Sequence, residues 1–186
     1  MLGTPRTSVA ATCPVWRVDQ RHCGQAKDCM KTSATFSPCR NYRYELWREW
    51  LGGAGYVVFV GLNPSTADET EDDPTIRRCI GYAKAWGYGA LCMTNLFAYC
   101  TRWPHVMKAA PDPVGPENDK RLLTTAAHAA VVVAAWGTEG THLGRDAEVR
   151  ALLPNLHFLR LTKNGHPAHP LYLPKTLHPV RWENSR

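Results

Sequence analysis

An α/β fold with a central, mostly parallel sheet of about four strands is what the sequence predicts, and three observations predict it. The runs YVVFVG (56–61), ALCMTN (90–95), AVVVAAWG (130–137) and NLHFLRL (155–161) are strand-length and apolar without polar alternation. Segments with helical start signals separate them. Strands that need no polar face are buried on both sides, which in this arrangement means a parallel sheet covered by helices above and below.

The elements follow in order. From Thr35 the chain reads ATFSP, a turn at CRN, then YRYELWREW, in which Tyr42, Tyr44 and Leu46 alternate with Arg43 and Glu45. That pattern predicts an N-terminal β-hairpin with one apolar face. After the first apolar strand, Asp73 is placed to cap a helix whose first residue is Pro74 and whose stop is Gly87. After the second strand, a long loop runs to Gly115, and Pro116 opens a helix to about Ala129. RDAEVRALL forms the third helix.

At 186 residues, with 44% hydrophobic residues and seven tryptophans, the chain suits one domain with a substantial core. Residues 1–29 show no helical or strand periodicity and read as an extension outside a domain spanning 30–186. The formal net charge of +6 permits an acidic partner without requiring one. No signal-peptide core and no membrane-length apolar run is present, so the reading is a soluble, cytoplasmic protein. Its seven cysteines are then expected as thiols. The gaps between Cys13, Cys23, Cys29 and Cys39 do not match the two-to-four-residue spacing of a metal knuckle.

Parallel sheets bind ligands beyond the carboxyl ends of their strands. Those ends carry Asn63, Asn95, Trp136 with Gly137, and the segment NGHPAHPLYLP. Asn63 before Pro64 can be simple turn chemistry, Asn95 can cap a loop, and His166 and His169 can be ordinary loop residues. The stretch between Ser65 and Arg78 is less ordinary, because it contains Asp68, Glu69, Glu71, Asp72 and Asp73. A solvated loop, favourable charge at a helix N-terminus, and a cation site with Asp68 as its candidate ligand all remain open.

In combination, GLNPS, TNLFAYCTRWP and HPLYL resemble the motifs of the uracil-DNA glycosylase superfamily over about residues 56–174. GLNPSTAD, DPVGPEND and KNGHPAHPLYLP are also similar, across 34–182, to an uncharacterised bacterial and phage family, the domain of unknown function numbered 1643. The glycosylase resemblance implies a three-layer α/β/α sandwich and hydrolysis of an N-glycosidic bond at a damaged or modified base in DNA, with no metal or cofactor. It implies that Asn63 orients water, His169 stabilises the leaving base and Asn95 reads it. Gly61, Leu62, Pro64, Ser65 and His166 would line the substrate site, and Leu171 or Tyr172 would fill the gap left by a flipped base. Arg102, Lys163 and Lys175 would hold phosphates.

The superfamily places an aromatic ring after its first motif, where this chain has DETEDDPTIRR. Two other expectations therefore stand beside the first: a non-catalytic nucleobase, nucleotide or modified-DNA binding module, and a metal-assisted enzyme of free nucleotides. DNA or a nucleotide is the expected partner in each case, with no membrane and no obligate protein partner.

Overall fold

The structure is a computed structural model that describes residues 30–183. The expected N-terminal extension, with Cys13, Cys23 and Cys29, lies outside the described residues. Seven strands form one sheet: β1 (Lys31–Phe36), β2 (Arg43–Glu49), β3 (Tyr56–Gly61), β4 (Ala90–Asn95), β5 (Val131–Ala134), β6 (Leu156–Phe158) and β7 (Val180–Arg181). Four α-helices accompany it: α1 (Pro74–Ala85), α2 (Pro104–Ala109), α3 (Asn118–Ala126) and α4 (Arg145–Leu152).

The sheet order is β1-β2-β4-β3-β5-β6-β7. The four apolar runs are its parallel centre, β4-β3-β5-β6. The expected count of about four strands falls short because the hairpin is not an appendage. β2 pairs antiparallel with β4, from Leu46 opposite Met93 to Glu49 opposite Ala90, and β7 closes the other edge antiparallel to β6.

Burial on both faces explains the unbroken apolar runs. Side chains alternate across a strand, so Val57 and Phe59 of β3 enter one core while Val58 and Val60 enter another. The first core takes Ile76, Cys79, Ile80, Tyr82 and Ala83 from α1. The second takes Met107 of α2, Leu122 of α3 and Val149 of α4. Helix α1 begins as its sequence suggests, with the Asp73 carboxylate accepting the Ile76 N–H at 2.8 Å and Pro74 at the first position, where a missing N–H costs nothing.

Helix α3 is shorter than the expected 116–129 span, and the loop after β4 contains the unexpected α2. No helix among the described residues is long and apolar enough to cross a membrane. Cys39, Cys79, Cys92 and Cys100 are free thiols, and burial raises the pKa of the Cys79 and Cys92 thiols well above the ordinary value.

Candidate functional site

Because β3, β4 and β5 are parallel, their carboxyl ends share one edge of the sheet. Because β2 is antiparallel to β4, its first residue, Arg43, reaches that same edge, where its N–H donates to the Ala98 carbonyl at 2.9 Å. A crevice of about 560 Å³ opens there. It brings together Gly61, Leu62, Asn63, Ser65, Asn95, Arg102, His169, Leu171 and Tyr172, which the sequence places up to the whole length of the sheet apart.

The backbone beyond the strands continues in register. Gly61 lies beside Asn95, and the Leu96 and Phe97 N–H groups donate to the Gly61 and Leu62 carbonyls at 2.9 and 3.0 Å. This closeness requires a glycine, since a Cβ at position 61 would stand 2.8 Å from Asn95 Oδ1. Asn118 of α3 donates to the Asn95 and Leu96 carbonyls at 3.1 and 2.9 Å, and Arg145 Nε of α4 donates to Leu96 at 3.0 Å. Asn95 is thus fixed from both sides. Its Nδ2 is buried and has no hydrogen-bond partner among the described residues. A buried amide without a partner is costly, and such groups concentrate where a ligand completes them.

Asn63 is held differently. Its Nδ2 donates to the Pro64 carbonyl at 3.0 Å and the Thr101 carbonyl at 2.7 Å. The donor end is therefore committed, and Oδ1 is left as the acceptor that a water O–H requires. Pro64 itself is buried and does not line the crevice; its carbonyl also accepts the Thr101 N–H at 3.0 Å.

His169 is half-buried, and burial lowers its pKa below the ordinary value, with Asp73 acting weakly in the other direction. Its Nδ1 accepts the Leu171 N–H at 3.4 Å. A neutral imidazole accepting at Nδ1 carries its proton on Nε2, so His169 is a neutral donor. The loop bearing it is tied to α1: Tyr82 Oη donates to Pro174 at 2.7 Å, Trp86 Nε1 to Leu177 at 2.9 Å, and Arg78 to Leu171 at 3.3 Å.

Other expected residues lie off the crevice. His166 belongs to the 162–166 turn, its N–H on Thr162 Oγ1 at 3.2 Å and its carbonyl taking the Thr162 N–H at 2.8 Å. Lys163 is exposed at the tip of that turn. Lys175 lines a neighbouring cavity of about 460 Å³ with Arg77, Arg78 and Tyr82, and Leu171 separates this cavity from the crevice by lining both.

The acidic loop has structural partners. Arg48 of β2, with a fully buried side chain, donates from Nε to Asp72 Oδ1 at 2.7 Å and from its other nitrogens to the Trp47, Asp68 and Glu71 carbonyls. Asp68 Oδ1 accepts the Thr70 and Glu71 N–H groups, both at 2.8 Å, and the Glu71 and Thr70 amides hold its carboxyl below the usual range. Glu69 pairs with Arg40, and Asp73 caps α1. Among the described residues, no three His, Cys, Asp or Glu side chains stand together as a metal site, so Asp68 is a turn former here.

Sequence reasoning placed Trp136 on this edge but missed Arg43 and Thr101, and all three line the crevice. Alternation assigned Arg43 to the polar side of a free-standing hairpin. Only the pairing of that hairpin with β4 brings it to the site.

The sequence model of the family described as protein of unknown function (DUF1643) matches residues 43–171. The chain belongs to this family. The match is narrower than the 34–182 expected from the motifs, and its bounds run from Arg43 to Leu171. No curated protein and no solved structure matches the chain.

Proposed function

We propose that this member of the DUF1643 family is a nucleobase-processing enzyme of uracil-DNA glycosylase type, with the corresponding three-layer arrangement, that hydrolyses the N-glycosidic bond of a damaged or modified base. The observation that carries the reading is the convergence in one crevice of an acceptor from Asn63, an unpartnered amide from Asn95 and a neutral donor from His169. Water held by Asn63 Oδ1 attacks the sugar C1′. The C1′–N bond breaks, its electron pair leaves with the base, and the proton of the attacking water passes to solvent. The transition state is oxocarbenium-like, and negative charge collects on the base. His169 Nε2–H donates to that charge, an interaction worth about 3 kcal/mol in comparable oxyanion sites. Asn95 offers one donor and one acceptor to a pyrimidine edge.

DNA is the first expectation for the substrate. A free nucleotide is the second, favoured by the placement of Lys163 and Lys175 off the crevice and by the absence of an aromatic ring in the acidic loop. The deciding experiment incubates the protein with oligonucleotides bearing uracil, mismatched, oxidised or hypermodified pyrimidines, alongside free nucleosides and nucleotides. Release of free base is expected, with loss in Asn63→Ala and His169→Ala. A folded protein that neither binds nor cleaves any of these ligands would refute the reading.

A further inference from the structure

Three arginines of the described residues are buried: Arg43, Arg48 and Arg145. Two of them have carboxylate partners, Asp72 for Arg48 and Asp119 with Glu148 for Arg145. Arg43 has none among the described residues. It is 3% exposed, its Nη1 donates to the Ala67 carbonyl at 2.5 Å, and its Nε is buried without a partner. A guanidinium carries five N–H donors, so most of its capacity is unused. Burial is the main cause that lowers its pKa, with Arg48 acting in the same direction and Cys100, Asp73 and Cys92 opposing, the expected sign for a cation taken from water without a paired counter-charge.

Arg43 lines the crevice. The two carboxylates that share the crevice wall are otherwise engaged: Asp73 accepts the Ile76 N–H at the start of α1, and Glu139 pairs with Lys108. Arg102 also lines the crevice, exposed and without an ion pair among the described residues. The crevice therefore offers two unmatched guanidinium groups, one of them deep. A desolvated, unpaired cation is costly to the fold. Its geometry suits a forked, two-point contact with a carboxylate or phosphate.

We propose that Arg43 is the counter-ion for an oxyanion carried by the crevice's ligand, either the terminal phosphate of a free nucleotide or a carboxylate on a modified base. The proposal rests on the nucleobase reading above and narrows its substrate class. Internucleotide phosphates stay with the backbone at the mouth when a base is extruded, so they are not the groups that reach a residue this deep.

The test compares the full chain with Arg43→Met and Arg43→Lys by calorimetry and thermal shift. The probes are inorganic phosphate, each common nucleoside beside its 5′-monophosphate, and oligonucleotides carrying a pyrimidine or its ring-carboxylated form. In the wild-type protein one charged probe is expected to bind about 10-fold or more tightly than its uncharged counterpart. Arg43→Met should erase that preference while leaving the ligand-free Tm equal or higher, because it removes an unpaired buried charge. Arg43→Lys should keep part of it. A preference for monophosphates identifies the nucleotide as the source, and a preference for the carboxylated oligonucleotide identifies the base.

Equal binding of charged and uncharged probes by the wild type, or a charge preference that survives in folded Arg43→Met, would overturn the proposal while leaving the nucleobase reading intact. Conversely, an Arg43-dependent response to inorganic phosphate with no binding of any base-bearing probe would sink the nucleobase reading and keep the anion site. Should Arg43→Met fail to fold, the wild-type preference and its reduction in Arg43→Lys decide, and the absence of either overturns the proposal.

Discussion

Replacing Asp72 by Asn removes the one charge that neutralises Arg48, and the consequence can be sized. The Arg48 side chain has no exposure, that of Asp72 is 18% exposed, and their Nε–Oδ1 contact is 2.7 Å. Breaking such a pair from one side costs about 3–5 kcal/mol when the survivor is left bare. Here Asn retains an acceptor and Arg48 keeps three carbonyls, those of Trp47, Asp68 and Glu71. The expected loss is therefore about 2–3 kcal/mol, below the usual range. For a domain of this size that corresponds to a fall in Tm of roughly 4–12 °C. The control is Glu69→Gln, which breaks an ion pair with both side chains well exposed to screening solvent and should change stability little. Both variants are measured by calorimetry and by chemical denaturation at low and high salt. The Asp72 effect should persist in salt, because the pair is screened from solvent. An Asp72→Asn cost no larger than that of Glu69→Gln would refute the pinning of this loop by β2, and with it the placement of Asp73 and Pro74 on the crevice wall.

Other substitutions probe the site and its frame. Gly61→Ala should displace the Asn95 carboxamide and abolish ligand binding at a stability cost of about 1–3 kcal/mol, whereas Gly81→Ala, exposed on α1 with open space around it, should raise stability by roughly 0.5–1 kcal/mol; ligand titration and thermal melts of the two separate a site effect from a backbone effect. The depressed pKa of His169 means that the unfolded chain takes up a proton first as pH falls, so stability should be full above 6.5 and decline as pH drops from 6.5 through the folded value. His169→Gln should flatten that slope in denaturation midpoints measured across this window. Mg²⁺ or Mn²⁺ should leave Tm unchanged, since Asp68 Oδ1 is committed to its own turn; a rise abolished by Asp68→Asn would restore the cation reading. If DNA is the substrate, Leu171→Ala should weaken duplex binding more than single-strand binding in fluorescence titrations, while equal losses would argue against a base-gap plug.

What the sequence made legible was local chemistry. β3 and β4 match their apolar runs residue for residue, and α1 starts where Asp73 and Pro74 place it, because burial on both faces and capping are written in adjacent positions. The edge that gathers Asn63, Asn95 and His169 follows from strand direction alone. What was hidden depended on distant pairing. Nothing in YRYELWRE tells that β2 joins β4, so Arg43, read on the polar face, and Arg48, given no role, both proved to be buried, Arg48 holding the acidic loop and Arg43 lining the crevice. Helix α2 and strand β7, at six and two residues, are too short to show a period. Four of the five carboxylates that suggested a metal are divided among a turn, a cap and two arginines, while Glu71 takes part through its backbone, a division visible only once β2 and Arg40 stand beside them.

The crevice draws its walls from Arg43 near the start of the described chain to Tyr172 near its end, with contributions from the ends of β2, β3, β4 and β5. No fragment holds a usable site, so any partial opening that frees the hairpin or the histidine loop also releases the ligand. A ligand present at 100 times its Kd adds about 2.7 kcal/mol to the free energy of each such opening. Amide exchange should accordingly slow across the hairpin, the sheet and the histidine loop by a common factor, and occupancy of one small cavity becomes a brake on the unfolding of the whole domain.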